Sequence, residues 1–286
     1  MNRSTIVALT LAGVLRSSIT TLLAQDTPPN LTKDQINKGA VLLKYKDYSN
    51  EDPMPVVHAY EGLRVSDVLD ALQAIGIQDI TLMDKSIRPL WKDTTEKTTH
   101  RIYGVAVTYQ YVPTNRPNPG PMKYEEFKKW HSHWYQTYAP EVFQSVLRPG
   151  TIVVIDSHEA NTVGFCGSNN ALNWKNLGAA GVVTNGNCRD TDELMLEKVP
   201  IYAKYFGGGT RPGRIEAGAV NIPVTVGGVL VRPGDFILAD GDGVVVVPRE
   251  KVEEVAKIGW DIAKGDKATR VKLYQKGGLK EDTTIK

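Results

Sequence analysis

Between Val220 and Val247 the chain runs through short Val/Ile segments cut by Gly227-Gly228, Pro233-Gly234 and Asp240-Gly241, a pattern that predicts antiparallel β-hairpins. β-Branched side chains suit a pleated, half-buried strand, and Gly or Asp-Gly tolerates the positive φ of a tight turn. Upstream, the turn Arg148-Pro149-Gly150 leads into an apolar strand, Thr151 to Ile155. A helix around Asn169 to Leu177 follows, stopped by Gly178, and then a buried strand from Gly181 to Thr184. Two such strands joined through a helix make a β-α-β unit. Hairpins and a β-α-β unit in one chain argue for an α/β fold with a mixed sheet.

The flanking segments fill in the outline. Residues 25–62 are polar and Pro-containing and read as an N-terminal arm with one short helix near Thr32 to Tyr45. Val65, Val68, Leu69, Leu72 and Ile75 have helical spacing, with Ser66 as a candidate N-cap. A strand from Ile102 to Tyr111 ends at the Pro-rich run Val112 to Pro121. Residues 123–147 then look like a helical insertion rich in aromatics, among them Tyr124, Phe127, Trp130, Trp134, Tyr135, Tyr138 and Phe143. His131 and His133 within it are two positions apart and do not share a helix face, so they make no metal pair. The stretch Asp190 to Glu197 reads as helical and Val199 to Ala203 as extended. A helix from Glu250 to Ala263 is expected to break at Gly265 and resume to Lys276, with 278–286 as a tail.

Charge and cysteines exclude several function classes. The 34 basic and 32 acidic residues are spread along the chain, so no basic face is offered to a phosphate backbone and nucleic acid is not an expected partner. Residues 1–24 carry Arg3, an apolar run and a small residue at Ala24, the order of a secretory signal peptide; Arg16 interrupts the run and argues against a membrane span. Export to a periplasmic or secreted location is the expectation, with a cytoplasmic one as the alternative. Cys166 and Cys188 have neither CxxC nor Cys/His ligand spacing, which argues against structural zinc. They are either buried thiols or, in an exported chain, a disulfide. Asp240-Gly241-Asp242-Gly243 lacks the downstream ligands of a calcium loop, and Gly207-Gly208-Gly209-Thr210 lacks the Lys-Ser/Thr of a phosphate loop.

The chemistry concentrates in Gly167-Ser168-Asn169-Asn170 and, after twenty residues intervening from Ser168, in Arg189-Asp190. A Gly-led turn opening a helix exposes free backbone N–H groups and a partial positive charge, which suit a carboxylate or phosphate. An arginine can grip the same anion in a bidentate fork, and a neighbouring aspartate can anchor a divalent cation. Each residue has a plainer alternative. Asp190 with Glu193 fits a helix capping box, Ser168 fits an N-cap, Asp266 after Gly265 fits another cap, and Arg189 fits a surface ion pair.

The segments Gly178 to Asp190, Pro200 to Ala203 and Ile222 to Pro248, in that order, resemble the 4-hydroxy-4-methyl-2-oxoglutarate aldolase family, which also contains regulators of ribonuclease E activity. The resemblance covers residues 63–277, with 112–147 as an insertion. It implies a swivelling β/β/α sandwich with a mixed sheet, assembled as a homotrimer or hexamer with active sites between subunits. It also implies a carbon–carbon lyase of the class II aldolase or oxo-acid decarboxylase type, using Mg²⁺ or Mn²⁺ and passing through a pyruvate enolate. By position, Arg189 would bind substrate, Asp190 would ligate the metal, and Gly167, Ser168, Asn169 and Asn170 would form the backbone cradle. Asp266 would be the acid that an adjacent subunit contributes to orient a proton-delivering water. Ser168 stands where the family's signature has an aspartate, and Asn185-Gly186 where Asp-Gly is common; both changes remove a carboxylate from the metal site. The non-catalytic alternative is a regulatory or binding protein on the same scaffold. A methyltransferase is not expected, because the chain has no adenosylmethionine-binding glycine motif.

Overall fold

A computed structural model describes residues 30–46, 48 and 51–285, so the expected leader, residues 1–24, lies outside the described residues. The chain divides into two compact units between Lys44 and Tyr45. In the described part of the first, Thr32 and Gln35 form a capping box on helix α1 (Lys33–Lys38). That helix stops at Gly39, where φ is +83°, and so ends well short of the expected Tyr45.

In chain order the second unit contains α2 (Met54–Tyr60), α3 (Val65–Ala74), β1 (Arg88–Pro89), β2 (Ile102–Pro113), α4 (Tyr124–Thr137), β3 (Thr151–Asp156), β4 (Gly164–Cys166), α5 (Ser168–Asn176), β5 (Ala179–Cys188) and α6 (Thr191–Leu196). It continues through β6 (Ile201–Phe206), β7 (Ile215–Val220), β8 (Val224–Val226), β9 (Val229–Val231), β10 (Phe236–Asp240), β11 (Gly243–Val247) and α7 (Val252–Gly277). The main sheet has nine strands in the order β1-β6-β5-β3-β2-β10-β11, with β4 beside β5 and β7 beside β2. Strands β6, β5, β3 and β2 run parallel, while β10 and β11 add antiparallel to β2. At the far edges Met83 N–H donates to the Val244 carbonyl at 3.0 Å and the Arg88 guanidinium to the Asp242 carbonyl at 3.1 Å, so the sheet nearly closes.

Strand alternation sorts the core into layers. Ile152, Val154, Ile237, Ala239, Val244 and Val246 face the β8–β9 hairpin through Val224, Val226, Val229 and Val231. Val153, Ile155, Val182 and Ile201 turn the other way, toward Ala171 and Trp174 of α5, Leu194 of α6 and the insertion's Trp134 and Phe143. Phe236, Leu238, Val245 and Val247 meet α2, α3 and α7. Each fully buried Val or Leu side chain contributes roughly 1.5–3 kcal/mol, enough for these faces to fix the register. The result is the expected mixed α/β sandwich. No helix among the described residues is long and apolar enough to cross a membrane.

Tertiary contacts moved several boundaries. The arm expected over 25–62 ends earlier, because α2 buries Val57 and Tyr60, and Tyr60 donates to the Val252 carbonyl at 2.8 Å. Ser66 lies inside α3; Arg64 is the N-cap, and its backbone N–H donates to Asp67 at 2.9 Å. The strand expected to stop at Thr184 runs on through Asn185, Gly186 and Asn187 with a register shift. No break occurs at Gly265, since α7 is continuous from Val252 to Gly277. Asp266 therefore caps nothing.

Asp235 anchors the corner before β10. Its carboxylate accepts from Arg232 N–H at 2.8 Å and Arg249 N–H at 3.0 Å, while burial pushes its pKa up to about 6. The folded state thus holds this proton more tightly than the unfolded chain, so the group's contribution to stability falls as pH rises from about 4 to about 6 and then levels off. An Asp235→Asn variant lacks this titration. Between pH 4 and pH 7 the difference in unfolding free energy should move in the variant's favour by on the order of 1–3 kcal/mol, read from urea midpoints. A pH-independent difference would count against a buried, titrating Asp235.

Candidate functional site

The parallel strands β4 and β5 end side by side, with Cys166 opposite Cys188 in the ladder, and the next residues of each strand meet. Arg189 N–H donates to the Cys166 carbonyl at 2.9 Å, which ties the start of one segment to the end of the other. Outside the C-terminal ends of parallel strands is where open α/β sheets bind ligands.

Gly167 is the N-cap of α5, and Ser168 is its first helical residue. A Cβ at Gly167 would come within 2.6 Å of Asp190 Oδ2 and 3.3 Å of Arg189 Nε, so only glycine allows this approach. At Gly164 a Cβ would stand 2.9 Å from that of Arg189. Ser168 N–H donates to Asp190 Oδ2 at 3.2 Å. The carboxylate therefore lies at the positive end of α5, where a negative charge is stabilised.

The capping box that was the plainer alternative for Asp190 and Glu193 is absent. Asp190 occupies the N-cap position of α6, but with φ 58° and ψ 44° it is left-handed and makes no side-chain capping bond there. Its side chain turns back to α5 instead. Arg189 Nε lies 3.6 Å from Asp190 Oδ2, too long for a hydrogen bond, and both side chains are about one-third exposed. Among the described residues the Arg189 guanidinium has no hydrogen-bond acceptor. It faces solvent with its donors uncommitted.

Of the remaining cradle residues, Asn169 adds a first-turn backbone N–H, whereas the Asn170 side chain points away and donates to Glu141 at 2.7 Å. Asp266 is not brought to Arg189 within the chain. It pairs with Arg64 at 2.7 Å on the exposed side of α7. No group of three or more His, Cys, Asp or Glu that could hold a metal ion occurs among the described residues. Asn185 donates to Asp156 at 2.8 Å and accepts from Ser157 N–H at 2.9 Å.

Behind the site lies a buried pair that the sequence did not mark. Arg211, fully buried, donates to the Phe165 carbonyl at 2.7 and 3.1 Å and pairs with Glu141. Glu141 also accepts from Trp174 Nε1 at 2.8 Å and from Gln144. The Arg211 guanidinium lies over the rings of Tyr111 and Tyr135, 5.3 and 5.0 Å from their centroids. The insertion is thereby fastened to β4 and α5, the two elements that flank Gly167. The pair spans seventy positions, so no local pattern could have shown it.

Cys166 and Cys188 are free thiols, fully buried, and burial first, with the Cys166 contact second, pushes the Cys188 thiol well up. A thiol that is protonated and inaccessible is unreactive. A thiol-specific reagent should modify neither cysteine in the folded protein and both after unfolding in denaturant. Finding no titratable thiol in the unfolded chain would instead establish a disulfide.

The model of a family described as "RraA-like: Aldolase/RraA" matches residues 65–246. The chain is 36% identical over 109 residues to a putative 4-hydroxy-4-methyl-2-oxoglutarate aldolase of Halalkalibacterium halodurans, covering 37% of this chain and 50% of that one. It is 38% identical over 101 residues to the 4-hydroxy-4-methyl-2-oxoglutarate aldolase of Thermus thermophilus, covering 35% of this chain and 60% of that one. The chain thus spans about half the length of the curated relatives it matches. Among solved structures, Streptomyces coelicolor RraAS2, described as an unusual member of the RNase ES inhibitor RraA protein family, superposes with a TM-score of 0.62 at 22% identity. The match covers 76% of this chain and 98% of RraAS2, and it bears on the fold alone.

Proposed function

The chain belongs to the RraA-like family, and from that premise we propose that it is a metal-assisted carbon–carbon lyase that cleaves or decarboxylates a small oxo-acid. The observation that carries this reading is the uncommitted Arg189 guanidinium beside the N-terminus of α5 and the Asp190 carboxylate. A 2-oxo acid presents a carboxylate next to a carbonyl. The guanidinium fork would bind that carboxylate, with the free first-turn N–H groups of α5 adding to the attraction. As the carbon–carbon bond breaks, its electron pair becomes an enolate whose oxygen carries the new charge. Arg189 stabilises that charge more than the ground state, which is what accelerates a reaction.

Asp190 would hold Mg²⁺ or Mn²⁺. One of its carboxylate oxygens accepts from Ser168 N–H and the other accepts no hydrogen bond among the described residues, so one oxygen is available to a cation. A magnesium-type ion keeps several waters and needs only one or two protein carboxylates, so this residue set fits a largely hydrated ion. Ser168 can bond a metal-bound water but brings no charge, which weakens the grip. When bound, the cation supplies positive charge at the substrate's carbonyl oxygen. We also infer a homotrimer or hexamer in which a neighbouring copy contributes Asp266 as the acid that orients the proton-delivering water. Light scattering checks the assembly.

The test is pyruvate release from oxaloacetate and from 4-hydroxy-4-methyl-2-oxoglutarate, with Mg²⁺ or Mn²⁺ and again after chelation. Release that disappears with chelator and returns with metal is expected. Background rates on both acids from a folded protein would sink the lyase reading and leave the non-catalytic binding role.

A further inference from the structure

At the end of the sheet away from Arg189, the starts of β2, β3, β5 and β6 leave a cleft of about 330 Å³ beneath α2. That is the lower end of the roughly 300–1,000 Å³ typical of small-molecule sites. Ala180 stands at the start of β5 and Arg189 directly after its end, so the length of this ten-residue strand, roughly 30 Å, separates the two places. The walls of the cleft are fixed. A Cβ at Gly150, where φ is +84°, would stand 2.9 Å from Pro53 and 3.0 Å from Met54 Sδ, so only glycine lets the first turn of α2 rest on the turn before β3. Beyond the other end of α2, the Tyr103 hydroxyl of β2 accepts from Gly62 N–H at 3.2 Å and donates to the Leu63 carbonyl at 3.0 Å. Gly178 and Ala180 are too small to fill the space between, and Met54, Val57, Ile102 and Pro200 give it an apolar surface.

Arg101 supplies the positive charge of this lining. Among the described residues its guanidinium pairs with no carboxylate. One hydrogen bond runs from Nη1 to the Tyr103 hydroxyl, at a long 3.4 Å, and Nε is buried with no acceptor. An arginine with unspent donors beside apolar walls suits a carboxylate, which can accept from Nε and an adjacent NH₂ group together. Glu61, in the same lining, repels a second negative charge. We propose that this cleft is a second binding site, for a monocarboxylate with a short apolar body, the carboxylate on Arg101 and the hydrocarbon against Met54, Val57 and Ile102. It is independent of the lyase reading. A diacid is disfavoured there, because its second carboxylate would meet Glu61 or lose its water to an apolar wall.

The probe is sodium hexanoate, with adipate as the diacid of equal chain length. Hexanoate should shift the Met54 methyl resonance, assigned by its absence in Met54→Leu, at concentrations where adipate leaves it in place. Arg101→Met, checked for folding by circular dichroism, should weaken hexanoate binding by about 10- to 100-fold, and Arg189→Ala should change it by no more than about twofold. If Arg101→Met does not fold, Glu61→Gln decides the matter, since Glu61 is exposed and its loss should narrow the preference for hexanoate over adipate. No Met54 shift with hexanoate, equal binding by folded Arg101→Met, an unchanged preference in Glu61→Gln, or lost binding in Arg189→Ala would each overturn the proposal. So would a Met54 shift that follows protein concentration instead of hexanoate, which would make the cleft a contact between copies.

Discussion

Arg189→Ala is expected to lower kcat/KM for oxo-acid cleavage by about 10³-fold, or about 4 kcal/mol of transition-state stabilisation. The guanidinium lies beside Gly167, the N-cap of α5, and among the described residues its donors make no hydrogen bond. What it contributes is therefore available in full to the developing enolate. Stability should hardly move. The contact with Asp190 is long and partly solvated, the kind of pair worth about 0–1 kcal/mol, so the thermal midpoint should fall by only a few degrees. Arg189→Lys should recover part of the rate, because the charge returns without the planar fork. The measurement is steady-state pyruvate release alongside thermal denaturation. A large activity loss accompanied by unfolding would make Arg189 a structural residue, and an unchanged rate would remove it from the chemistry.

Much of the scaffold can be read locally, and the exceptions share a cause. The β10–β11 hairpin, β3, α5 and the core of β5 follow from alternation, glycine stops and turn residues, all of which act over a few positions. At Gly265 local propensity points to a break, yet α7 continues because Val252, Val255 and Ala256 bury against α2 and α3 and because Arg64 pairs with Asp266 across 202 positions. At Asp190 the capping pattern was present in sequence but the backbone went left-handed, sending the carboxylate to α5 instead of α6. His131 and His133, two positions apart, share no helix face. The ring partners of His131 are Phe127 and Tyr135, one turn away on each side, a spacing that was legible in the sequence. Glu141 and Arg211 could not be found that way, since an isolated Glu and an isolated Arg look like surface residues until a fold buries them together.

That buried pair gives the largest expected effect on stability. Glu141→Gln should destabilise the fold by about 3–5 kcal/mol, because it leaves the Arg211 charge buried and uncompensated. The amide also presents donors where Arg211, Asn170, Trp174 and Gln144 all require an acceptor. The double variant Glu141→Gln with Arg211→Met removes the stranded charge and should recover a substantial part of the loss, as buried pairs replaced by apolar groups commonly do. The Phe165 carbonyl would still lose its donors, so recovery should be incomplete. Urea denaturation of wild type, both single variants and the double variant closes the cycle. A single-variant cost below about 1 kcal/mol would mean that Glu141 is more solvated than its position implies. The same cycle also reaches function. Glu141 fastens Asn170 of α5, and Arg211 fastens Tyr135 and β4, so loosening the pair should disturb the Gly167 turn against which Arg189 and Asp190 are set. Pyruvate release should then fall further in the double variant than its residual stability explains.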